Sequence, residues 1–181
     1  CLSEEERQRL LAACEASPNR CLAPLVVLAL STGARKQELL SLTWAEVDLR
    51  RAQLTLQHTK NRERRALPLT GLALEQVQQL AKGRRIDTPL LFPRADGRRP
   101  IDLRYAWAQA LRQAAIPDCR FHDLRHSCAS YLAMTGASLV EIAAILGHRT
   151  LQMVQRYAHL SAAHTAGVVA RMNAAIFPSR A

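Results

Sequence analysis

One break in pattern constrains this chain more than anything else in it. Apolar side chains recur at helical spacing along most of its 181 residues, but between Leu54 and Leu69 the period shortens to two. Leu54 and Leu56 stand on one side and Ala66-Leu67-Pro68-Leu69 on the other, around the polar stretch His58 to Arg65. Alternation over a few residues marks a half-buried strand, and two such runs about a polar turn predict a β-hairpin. Aromatic residues make up only 4% while Ala and Leu are abundant, which favours helix elsewhere. The expected fold class is α+β, predominantly helical, with one small antiparallel sheet.

The helices carry their own punctuation. Ser3-Glu-Glu-Glu6 is a capping box opening a helix to about Ala16, where Pro18-Asn19 breaks it. Cys21 to Leu30 reads as a buried helix closed by Thr32-Gly33, and Lys36 to Leu42 restarts a short one leading to Trp44. Thr70 is expected to cap an amphipathic helix through Leu80, and the stretch 82–100 is loop with a short strand at Leu90 to Phe92. Further helices are predicted at about 101–115, 122–135 (ended by Gly136), 139–146 (a second capping box at Ser138 and Glu141, with Gly147 as the stop), 151–158 and 162–176. No repeat or low-complexity linker divides the chain. At this length one domain buries roughly 70% of the surface of the unfolded chain and needs no disulfide staple.

Several classes of protein are excluded at once. The longest apolar run, Cys21 to Leu30, is broken by Pro24 and too short to cross a bilayer, and Leu2-Ser-Glu-Glu-Glu-Arg is no signal peptide. A cytoplasmic, nucleoid-associated protein is expected. The five cysteines form no CxxC pair, so they read as reduced, mostly buried thiols and not as a zinc site. The net charge of +10 is concentrated. Residues 50–65 set six cations against Glu63, and residues 82–104 set seven against Asp87, Asp96 and Asp102. Clustered cations of this kind are the footprint of a polyanion partner.

Four local patterns bear on chemistry: Thr32-Gly-Ala-Arg-Lys-Gln-Glu-Leu-Leu-Ser-Leu-Thr-Trp44, Thr59-Lys60, His122-Asp-Leu-Arg-His126, and Leu146-Gly-His148 followed nine residues later by Tyr157. Singly, each has a plain structural explanation. Arg35 pairs readily with Glu38, a turn lysine is ordinarily solvated, His122 and Arg125 share one face of a helix start, and Tyr157 suits the edge of a core. Together and in this order they resemble the tyrosine recombinase (phage-type integrase) family over roughly residues 2 to 165. The resemblance implies the DNA breaking-rejoining catalytic fold and places Arg35, Lys60, His122, Arg125, His148 and Tyr157 at six catalytic positions. It implies double-stranded DNA as partner, contacted by Lys36, Arg62, Arg64, Arg65, Arg98 and Arg99, with no cofactor, no metal and no membrane.

These residue types suit that chemistry on physical grounds. A phenol of pKa about 10 is ionised in roughly one copy in a thousand at neutral pH, so it attacks phosphorus only with cations and a proton acceptor nearby. Two guanidiniums can fork onto the non-bridging oxygens of a pentacoordinate phosphorane. An imidazole beside a helix N-terminus adds a donor where the dipole already favours an anion, and a lysine can protonate the departing 5′-oxygen. One ester replaces another. The chain has neither a GxxxxGK loop nor an acidic cluster suited to magnesium.

Two neighbouring readings are a type IB topoisomerase-like relaxing enzyme and a non-catalytic DNA-binding module. A third takes His122, His126 and His148 as metal ligands, but Leu124-Arg125 stands where a zinc peptidase helix carries glutamate. By the resemblance, residues 1–181 are a catalytic domain, the N-terminal DNA-clamping domain is absent from this chain, and the protein is a tetramer on DNA and a monomer as an isolated domain. Residues 162–177 carry Val168, Val169, Met172, Ile176 and Phe177 at helical spacing. Such a tail helix either closes the chain's own core or packs on a neighbouring subunit.

Overall fold

A computed structural model describes residues 2–57 and 64–177. The backbone forms two compact units, Cys1–Cys128 and Ala129–Ala181.

In the first unit the sequence dictates a central helix. The run Leu22 to Ala29 is apolar on every side, and all eight of its residues are buried, with Leu22, Leu25, Val26 and Leu28 fully enclosed. This helix, α2 (Leu22–Thr32), packs against α1 (Glu4–Glu15) and α4 (Gly71–Lys82), and α1 packs on α5 (Arg104–Gln113). Pro24 is tolerated because it lies in the first turn, where the missing N–H has no intrahelical acceptor. Emptying one such position, as in Leu25→Ala, costs about 3 kcal/mol. The Ser3–Glu6 capping box forms as expected, with Glu6 N–H donating to Ser3 Oγ at 3.1 Å and Ser3 N–H to Glu6 Oε2 at 2.8 Å.

The alternating segment forms β2 (Gln53–Gln57) and β3 (Arg64–Pro68). A two-residue strand, β1 (Val47–Asp48), completes a three-stranded antiparallel sheet in the order β1-β2-β3. That strand is too short to show a period, so the sequence predicts only a hairpin. The register pairs Leu54 with Leu67 and Leu56 with Arg65. Directly paired residues share a face, so Arg65 lies on the same side as three buried leucines.

Two local expectations are corrected in this unit. Leu90 to Phe92 is not a strand: single bridges join Thr43 to Leu90 and Pro93 to Pro100, supported by bonds from Trp44 N–H to Pro89 O (3.0 Å) and Leu91 N–H to Leu42 O (3.1 Å). Pro89, Pro93 and Pro100 remove the donors that a ladder needs. Thr70 does occupy the N-cap of α4 with extended backbone, but its hydroxyl makes no capping bond.

The second unit holds the end of α6 (Asp123–Met134), then α7 (Leu139–Leu146) and α8 (Ala158–Ile176). The Ser138–Glu141 capping box opens α7, and Gly147 in the left-handed region (φ 67°) closes it. Residues 151–158 are not an α-helix. They make two 3₁₀ turns, Leu151–Met153 and Gln155–Tyr157, and α8 begins directly afterwards. Val154 and Tyr157 are the buried members of this stretch and stand three residues apart, a spacing that the three-residue turn stacks on one side.

Candidate active site

In the first unit the site is built around the end of α2. Thr32 Oγ1 donates to Leu28 O (2.6 Å) and accepts from Ala34 N–H (3.2 Å), and Gly33 stops the helix at φ 62°. Arg35 then stands extended ahead of α3 (Lys36–Leu40). Its backbone N–H donates to Glu38 Oε2 at 2.7 Å and its Nη1 reaches Glu38 Oε1 at 3.3 Å. Arg65, carried inward by the sheet register, forks onto the same carboxylate with Nη1–Oε1 and Nη2–Oε2 both 3.0 Å. Burial pushes the Glu38 carboxyl upward. The Arg65 hydrogen bonds, the Arg35 amide and the two guanidinium charges more than reverse this and hold it below its ordinary value.

Arg125 comes to the same place from the start of α6. Its Nη1 donates to the Gly33 carbonyl at 2.6 Å, and the residue is only 4% exposed. Burial first, then the positive charges of Arg35 and Arg65, push the Arg125 guanidinium down to about 10, with Glu38 acting in the opposite direction. Arg125 is therefore still cationic at neutral pH. Arg35 and Arg65 share the Glu38 carboxylate, Arg125 adds a third guanidinium close enough to feel all three charges, and the cluster holds more positive charge than its single anion offsets.

His122 is exposed and directly precedes α6, its carbonyl accepting from Arg125 N–H at 3.1 Å. The His122 ring meets that of His126 edge to face, with centroids 5.2 Å apart. Asp123 does not compete for this position, because its carboxylate accepts the Arg120 N–H at 2.8 Å.

The second unit carries the other two residues. His148 follows the left-handed Gly147, half-buried, its N–H bonded to Ala143 O at 2.8 Å. Tyr157 ends the second 3₁₀ turn, 6% exposed, with its N–H on Val154 O at 2.9 Å.

Lys60 and Arg62 lie outside the described residues. Of the other cations expected at DNA, Arg64, Arg98 and Arg99 are exposed and Lys36 is half-buried. Arg65 is engaged with Glu38, its side chain 12% exposed. Glu38 itself is the residue that pattern reading undervalued. Its i+3 offset from Arg35 shows one ion pair, whereas the signal for the second is the strand parity that Arg65 shares with Leu67 and Leu69. Among the described residues, no group of His, Cys, Asp and Glu is placed to hold a metal ion, and no helix is long and apolar enough to cross a membrane.

Residues 1–164 match the phage integrase family. The chain is 35% identical over 145 residues to the shufflon-specific DNA recombinase of Escherichia coli, covering 80% of this chain and 36% of that protein. It is 31% identical over 171 residues to the integrase of Haemophilus phage HP1, covering 93% of this chain and 46% of that one. It thus spans less than half the length of either relative. Its backbone superposes on the catalytic domain of bacteriophage HP1 integrase with a TM-score of 0.75 at 31% identity, covering 99% of this chain and 98% of the other. The XerA recombinase shares the fold, with a TM-score of 0.74 at 24% identity over 99% of this chain and 65% of that one.

Proposed function

The chain belongs to the phage integrase family, and we propose that it is the strand-cutting and strand-joining part of a site-specific DNA recombinase. Tyr157 attacks a backbone phosphate to give a 3′-phosphotyrosyl bond and a free 5′-hydroxyl. The 5′-hydroxyl of a second strand then reverses the step. The observation that carries this reading is the excess of positive charge where Arg35 and Arg65 bond to Glu38 and the buried Arg125 adds a third guanidinium. A phosphate is the anion that such a cluster fits: Arg35 and Arg125 hold its non-bridging oxygens, while Arg65 keeps Glu38 and hence Arg35 in position.

The remaining roles follow from chemistry. His122, exposed ahead of α6, donates to a phosphate oxygen. His148 hydrogen-bonds a second one or takes the Tyr157 proton. Lys60 gives a proton to the departing 5′-oxygen, so the phenol loses a proton and the alkoxide gains one with no net change. Arg64, Arg98 and Arg99, together with Lys36, supply contacts to the duplex. The exposed apolar residues of α8 pack on a neighbouring subunit in a tetramer assembled on DNA.

A nicked suicide duplex, in which the freed 5′ fragment diffuses away, tests the reading. The chain should form a covalent complex that survives denaturant, and Tyr157→Phe should form none while still binding DNA. Joining to a new strand carrying a 5′-hydroxyl identifies a recombinase; supercoil relaxation with no such joining would identify a topoisomerase. A chain that binds DNA but gives no covalent product under either protocol is a binding module, and the proposal fails.

A further inference from the structure

A cavity of about 780 Å³ in the first unit contains none of the residues assigned to chemistry. It lies where α1 and α2 are joined, beside the end of α4 and the loop that follows it. Its floor is apolar, formed by Pro24, Trp44, Leu80 and Leu91, and its rim is cationic, carrying Arg20, Lys82 and Arg84. A second hollow of about 600 Å³ adjoins it, sharing Asn19, Cys21, Pro93, Arg94 and Ala95 along the groove wall.

The walls are held in shape by internal bonds. Arg85 forks onto Asp87 at 2.9 and 2.6 Å and donates to the carbonyls of Arg94 and Ala95 at 2.9 and 3.1 Å. Arg94 Nε donates to Pro100 O at 3.0 Å. The Arg84 guanidinium lies 5.3 Å from the centroid of the Trp44 ring, joining rim to floor. Ile86, two residues further on, is wholly exposed. Among the described residues, the anionic lining side chains are Glu15 and, in the second hollow, Asp96 and Asp102.

We propose that this groove docks an acidic amphipathic segment of another protein, whose apolar side chains fill the floor while its carboxylates meet Arg20, Lys82 and Arg84. Charge and floor chemistry together select this occupant. The chain's own tail is a poor one, since residues 158–181 contain Arg171 and Arg180 and no Asp or Glu. DNA is poorer still: phosphates suit the rim but leave Pro24, Leu80 and Leu91 with nothing apolar to cover them. An amphipathic helix with anchors at i, i+3, i+4 and i+7 satisfies both surfaces.

The test uses the 181-residue chain and a fluorescent synthetic helix of Leu and Glu at that spacing, followed by anisotropy at about 0.15 M salt, where diffuse charge attraction is screened beyond about 8 Å. The acidic amphipathic helix should bind at least tenfold tighter than a scrambled peptide of the same composition or a Lys-for-Glu version. Arg84→Glu and Lys82→Glu should each weaken it about tenfold, and Arg112→Glu, an equal charge change on α5, less than twofold, with thermal unfolding of all three unchanged. Equal binding of the scrambled peptide overturns the proposal, as does an equal loss with Arg112→Glu. So does a DNA duplex that displaces the peptide and is itself weakened by Arg84→Glu, since the groove is then a DNA surface.

Discussion

Arg125 and Gly33, 92 residues apart in sequence, are joined by a 2.6 Å hydrogen bond from the guanidinium Nη1 to the carbonyl oxygen. This bond ties the start of α6 to the left-handed stop of α2 and compensates in part for burying a cation. On the proposed reading the same guanidinium also holds a phosphate oxygen. A lysine at this position presents a single point charge that can serve the carbonyl or a phosphate oxygen, but not with a planar fork. Arg125→Lys should leave the chain folded and lower the rate of covalent complex formation on suicide DNA by about a hundredfold or more. A rate within tenfold of the parent would show that Arg125 acts only as a structural tie.

Gly33 supplies that acceptor only while its backbone stays left-handed, at φ 62° and ψ 17°. A Cβ there costs roughly 1–2 kcal/mol. Gly33→Ala should lower the free energy of unfolding by about that amount in urea titration and slow covalent complex formation as the Gly33 carbonyl shifts. Gly83→Ala is the matched control. Gly83 has φ −104°, and the nearest atom to its added Cβ is Leu80 O at an ordinary 3.8 Å. Its stability should be unchanged or slightly raised.

Glu38 makes the first unit sensitive to acid. Its folded carboxyl lies below the ordinary value of 4.5, so the unfolded chain binds the proton more readily. The stability this residue contributes is therefore complete above about 4.5 and is lost as pH falls through the lowered folded value. Glu38→Gln leaves the guanidiniums of Arg35 and Arg65 without their anion and should cost about 3 kcal/mol at pH 7. The difference from the parent should shrink steadily below pH 4.5. A gap that stays constant from pH 7 to pH 3 would mean that Glu38 contributes packing and not charge.

What the sequence made legible divides by range. The capping boxes at Ser3 and Ser138 and the stops at Gly33 and Gly147 are local devices, and each is found where the pattern predicts it. The hairpin was legible because burial of one face imposes alternation. The 3₁₀ geometry of residues 151–157 was not, since two buried side chains three apart fit an α-turn nearly as well. The Leu90–Phe92 bridges depend on partners at Thr43 and Pro100 that no local period reveals. At the site, Arg35, His122 and Arg125 stand out by motif. The Arg65–Glu38 fork depends on the strand register, which places Arg65 on the buried face of the sheet.

The tail offers a choice that the two sequence readings left open. Val168, Val169, Met172, Ile176 and Phe177 are 45%, 47%, 51%, 58% and 69% exposed, so they do not close the chain's own core. An apolar stripe left in water over several helical turns marks a surface for association. Met172→Glu, at a half-exposed position, should change the free energy of unfolding by no more than about 0.5 kcal/mol. On DNA carrying paired sites it should remove the slow-migrating multimer while leaving the single-chain complex and covalent bond formation in place. If instead unfolding shifts by several kcal/mol, the stripe is packed within the chain. Multimers that persist beside an unchanged unfolding curve would place the subunit contact elsewhere.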